Sequence, residues 1–79
     1  MIRYFRVIVM FQRIRDLRED KDLKQREIAA ILNCAQRTYS NYELGQRDIP
    51  TDILIKLSLF YNVSVDYILG LTNNPKRNK

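Results

Sequence analysis

The feature that most limits what this chain can fold into is the recurrence of its apolar residues at helical spacing in short stretches, each soon closed by a polar or glycine break. Phe11, Ile14 and Leu17 make one stripe, with Arg13, Arg15, Asp16 and Arg18 around it, and Asp20-Lys21-Asp22 ends it. Ile28, Ala29 and Leu32 make a second over roughly residues 24 to 32, interrupted by Asn33-Cys34-Ala35. Tyr39 and Tyr42 mark one face of a third helix that stops at Gly45, where glycine suits the left-handed residue that closes helices. Thr51 is placed to cap a fourth helix carrying Ile53, Leu54, Leu57, Phe60 and Tyr61. After Asn62-Val63, Ser64 can cap a fifth with Val65, Ile68 and Leu69, ended by Gly70. The expected fold is all-α: one compact five-helix domain over residues 11 to 70.

Two segments flank it. In residues 1 to 10, Ile2, Tyr4 and Ile8 alternate against Arg3, Phe5, Val7 and Val9, which predicts a short N-terminal β-strand arm. The apolar run there is too short for a secretion signal, and no small-residue cleavage site follows. Residues 71 to 79 read as a basic polar tail. Lys76, Arg77 and Lys79 suit a solvated end, with contact to the phosphates of a polyanionic partner as the other reading.

With 79 residues there is room for one domain and little for an enclosed active site. No stretch approaches the ~20 apolar residues of a membrane-spanning helix. One cysteine and no histidine exclude an intrachain disulfide and a Cys/His zinc site, so no metal or cofactor is expected, and a reducing cytoplasm fits. The formal charge of +5 favours polyanionic partners. No nucleophile paired with a base, no carboxylate pair and no phosphate-cradling glycine loop appears, so an enzyme is not expected.

What remains is a binding surface. If Tyr39 and Tyr42 anchor the third helix, its outer face carries Gln36, Arg37, Ser40 and Asn41. Gln and Asn can pair bidentately with adenine and Arg with guanine, so this face could read a major groove. On spacing alone an ordinary solvated polar face fits as well. Ala29, small and on the packed side of the second helix, allows the close approach that two crossing helices need. Cys34 reads as a packed thiol.

These residues carry a resemblance. Gln25-Arg26-Glu27-Ile28-Ala29, Ser40-Asn41-Tyr42-Glu43, Gly45-Gln46-Arg47, Ile49 to Leu57 and Asn62 to Gly70 resemble the Xre family of bacterial and phage regulators, which includes phage Cro and repressor DNA-binding domains. The resemblance, over about residues 11 to 75, implies a lambda-repressor-like helix-turn-helix fold and sequence-specific binding to double-stranded DNA for transcriptional regulation. It implies base contacts by Gln36, Arg37, Ser40 and Asn41, and phosphate contacts by Gln25, Thr38 and Arg47, with Lys24 as an added phosphate cation. It also implies a structural pair between Arg18 and Glu43. Two positions depart from the family, which has Ser or Thr where this chain has Lys24 and Ala35. Each departure removes a capping hydroxyl worth about 0.5 to 2 kcal/mol.

A homodimer on a palindromic operator is expected, joined by an antiparallel ribbon of residues 2 to 9 across a two-fold axis. The rival arrangement extends the first helix through residues 5 to 10 or packs them on the monomer's own core. The alternative function is an antitoxin-like module that masks a protein partner and also binds its own promoter.

Overall fold

In the computed structural model, residues 12 to 77 are described. All regular structure among them is helical. Residues 12 to 20 form α1, followed by α2 (Gln25–Leu32), α3 (Gln36–Leu44), α4 (Thr51–Tyr61) and α5 (Val65–Ile68). Among the described residues there is no strand, and a lone strand would leave its backbone unpaired. The β-strand arm expected over residues 2 to 9 therefore gains no support, and that segment itself lies outside the described residues. No described helix is long and apolar enough to cross a membrane.

The core takes at least one fully buried side chain from every helix: Ile14 from α1, Ile28 and Leu32 from α2, Tyr39 from α3, Leu57 from α4 and Ile68 from α5. Each aliphatic member contributes about 1.5 to 3 kcal/mol by leaving water. Because the contributions converge on one cluster, no helix can shift without disturbing the others.

The breaks work through the backbone. Asn33 and Asn62 take left-handed conformations (φ 58° and 56°) at the ends of α2 and α4, which asparagine tolerates better than most residues. Gly45 does the same at φ 73°, and its amide and that of Gln46 donate to the Tyr42 and Asn41 carbonyls, at 3.2 and 3.0 Å. Ser64 caps α5 as expected, its Oγ accepting from the Tyr67 amide at 3.0 Å. Thr51 does not cap α4. The Leu54 amide donates to the Pro50 carbonyl at 3.0 Å, so Pro50 is the capping position and Thr51 the first helical residue. Proline is tolerated there because its preset φ suits the approach and its missing N–H is not needed.

The residues after Gly70 return to the domain, although their side chains are largely exposed. Arg13 on α1 donates from Nη1 to the carbonyls of Tyr67 (3.1 Å) and Thr72 (2.9 Å), and from Nη2 to Asn73 Oδ1 (3.3 Å). Its guanidinium also lies 4.1 Å from the Tyr67 ring centroid. The Ser64 amide donates to the Pro75 carbonyl at 2.9 Å, which ties the segment to the start of α5. Arg13→Ala should therefore lower stability by about 1.5 to 3 kcal/mol, the range for hydrogen bonds from a charged donor. Limited proteolysis should then cut beyond residue 71 faster than in the wild type. An unchanged digestion pattern would show that Arg13 does not hold this segment.

Candidate nucleic-acid interface

The pairing of α2 with α3 is set by what faces inward. Ala29 is 2% exposed, and its single methyl group lets the two helices meet closely. Tyr39 and Tyr42 are buried on the inner side of α3, their rings edge to face with centroids 6.4 Å apart and planes at 89°. This settles that both tyrosines pack in the core. Cys34, in the turn between the helices, is half-buried against the core, and burial pushes its thiol above the usual range, partly opposed by Lys56.

With the tyrosines inside, the other side of α3 is left to polar groups. Gln36, Arg37, Ser40 and Asn41 line one open groove of about 460 Å³ together with Gln25 from the start of α2. Gln36 and Arg37 are exposed, whereas Ser40 and Asn41 are half-buried. Among the described residues no carboxylate lines it. The structure thus brings together five of the eight contacts expected from the sequence. The other three lie outside the groove lining. Lys24 is exposed at the capping position of α2, Thr38 is half-buried in the first turn of α3, and Arg47 is exposed beyond Gly45.

Neither helix start has a side-chain cap from the residue before it. At α2 the shortfall is partly met, because the Lys24 amide donates to Glu27 Oε1 at 2.7 Å, the reverse half of a capping box. Ala35 offers nothing comparable at α3, in line with the loss expected from its missing hydroxyl.

Beneath the groove lies the expected ion pair. Arg18 donates from Nε to Glu43 Oε2 at 2.7 Å and from Nη2 to Oε1 at 3.2 Å, while Nη1 donates to the Leu23 carbonyl at 2.8 Å. The side chains are 13% and 4% exposed, so the pair is largely out of water. Burial pushes the Glu43 carboxyl up, but the bond from Arg18, with help from Tyr39 and Gln25, outweighs this and holds it below its ordinary value. The Tyr39 hydroxyl is buried beside that carboxylate without completing a hydrogen bond of standard geometry.

The reading of the sequence missed one bond in this network. Gln25 Nε2 donates to Glu43 Oε1 at 3.0 Å, so the amide assigned only to DNA is also tied inward. Its partner is 18 residues away, and no local pattern signals it.

Comparison with known proteins places this geometry. Residues 14–68 match the family model described as Helix-turn-helix. The chain is 43% identical over 68 residues to the HTH-type transcriptional regulator ImmR of Bacillus subtilis (strain 168), covering 86% of this chain and 54% of that protein. It is 42% identical over 64 residues to the uncharacterized HTH-type transcriptional regulator YobD of the same organism, covering 81% and 57%. It is 38% identical over 53 residues to the cryptic phage CTXphi transcriptional repressor RstR of Vibrio cholerae, covering 67% and 48%. The chain thus spans about half the length of the curated relatives it matches. No solved structure matches it.

Proposed function

The chain belongs to the helix-turn-helix family of Xre type, and on that ground we propose that it is a sequence-specific, double-stranded DNA-binding regulator that represses transcription, with α3 in the major groove. The observation that carries this reading is the clustering of Gln36, Arg37, Ser40 and Asn41 with Gln25 in one groove without a carboxylate. Gln36, Arg37, Ser40 and Asn41 on α3 meet base edges. The sugar–phosphate ridge passes beside them, with Gln25, Lys24, Thr38 and Arg47 as phosphate contacts. Such a protein works in the cytoplasm without catalysis, by occupying its site. Two copies on a palindromic operator would set their α3 helices about 34 to 36 Å apart, one turn of DNA.

Selection of bound sequences from a random DNA pool by the purified chain tests the reading. A single enriched motif is expected, and enrichment of none would overturn it. On the best site, Gln36→Ala or Arg37→Ala should each cost about 1 to 3 kcal/mol and relax preference at one or two base pairs. If both variants select the wild-type motif unchanged, α3 is not the reader. Arg47→Ala should weaken binding to all sequences alike and reduce the slope of log K against log salt by ~0.9, the loss of one cationic phosphate contact. An unaltered slope would place Arg47 off the DNA.

A further inference from the structure

We propose that Glu43 is a positioning residue for DNA binding, which acts by holding the Gln25 amide in one orientation at the edge of the groove. The proposal rests on the DNA-binding reading above. Its starting point is that an ionised carboxylate only accepts hydrogen bonds. Glu43 is kept ionised by Arg18, so of the two ends of the Gln25 amide only the nitrogen can face it, as in the observed 3.0 Å bond. Turned the other way, the amide would set its oxygen against Oε1. The orientation of Gln25 is therefore decided by charge beneath the groove, and the atoms left for DNA are Oε1 and the second N–H.

The carboxylate is itself well held. It is 4% exposed, takes two bonds from Arg18, and Arg18 is anchored to the Leu23 carbonyl in the turn that leads into α2. Gln25 is thus referenced to α1, to the α1–α2 turn and to α3 at once. A glutamine otherwise loses side-chain freedom when it binds, and holding it beforehand is worth about two- to tenfold in affinity. Gln36 and Arg37 in the same groove have no such hydrogen bond from within the described residues, so Gln25 is the groove side chain prepared in advance.

A thermodynamic cycle on the selected operator tests this. Arg18→Met with Glu43→Leu removes the carboxylate together with its partner, so no charge is stranded. In the wild type Gln25→Ala should weaken binding about two- to tenfold. In the Arg18→Met/Glu43→Leu background affinity should already be reduced by about that factor, and Gln25→Ala should cost less than it does in the wild type. Equal losses from Gln25→Ala in both backgrounds would show that Glu43 only supports the fold. A second measurement needs no variant: in the wild type the Gln25 side-chain amide protons should exchange with solvent more slowly than those of Gln36. Equal rates would overturn the proposal. If the wild type selects no DNA sequence, the DNA reading falls and this proposal with it. If it selects a motif but the cycle is additive, this proposal alone falls.

Discussion

Arg18→Ala is expected to destabilise the domain by about 3 to 5 kcal/mol, the cost of leaving one member of a buried ion pair without the other. Glu43 would keep the Gln25 bond but lose both bonds from the guanidinium, at a site where its side chain is 4% exposed. The Leu23 carbonyl would lose its partner as well. At the lower end of the about 5 to 15 kcal/mol typical of a folded domain, such a loss leaves a large unfolded fraction near physiological temperature, and DNA binding falls with it. Urea denaturation checks the value, and a loss under about 1 kcal/mol would show that the pair is solvated. Arg18→Met with Glu43→Leu, in contrast, should melt close to the wild type, because well-packed apolar residues can replace a buried pair at little cost.

The same pair makes stability depend on acid. Glu43 titrates below its ordinary value of 4.5 in the folded state, so its contribution is fully present above that value and is lost as pH falls through the folded pKa. The wild type should lose stability from about pH 5 downward, and this part of the slope should be reduced in Arg18→Ala and absent from the Met/Leu replacement. With no histidine in the sequence, no side chain of unperturbed pKa titrates between about pH 5 and 8.

What could be read from the sequence was what local rules govern. The period of Ile28, Ala29 and Leu32, the break at Asn33, the glycine at position 45 and the Ser64 cap all express interactions within one or two helical turns, and all stand in the structure. The outer face of α3 was legible for a related reason: once Tyr39 and Tyr42 are inside, helical geometry leaves Gln36, Arg37, Ser40 and Asn41 together on the other side. Thr51 misled because a threonine before an apolar stripe is a sound capping signal, while the preceding Pro50 fits the same position at no loss of a needed donor. The bonds from Arg13 to Tyr67 and Thr72 span 54 and 59 residues and carry no periodic signature. The Arg18–Glu43 pair is equally nonlocal, and only family resemblance made it visible in advance.

Tyr39→Ala should cost about 3 to 5 kcal/mol, as truncation of a large buried aromatic does elsewhere, and should remove DNA binding by releasing α3 from its seat. The side chain is fully buried, its ring meets Tyr42 edge to face, and it is the fully buried member of the core that α3 supplies. Without it a cavity opens between α3 and the core cluster that includes Ile28, Leu32 and Leu57, and little is left to hold the outer face in register with Gln25. Tyr39→Phe separates the ring from the hydroxyl. That oxygen is buried with no hydrogen-bond partner of standard geometry, so its removal should change stability by no more than about 1 kcal/mol. A loss of about 1.5 to 3 kcal/mol would instead reveal a charge-assisted bond to Glu43. The two roles available to an aromatic residue in a helix proposed to face DNA make opposite predictions for Tyr39→Ala. A core anchor lowers the urea midpoint, whereas a ring stacked on bases would leave the midpoint in place and weaken DNA binding alone, an outcome incompatible with the inward position of Tyr39.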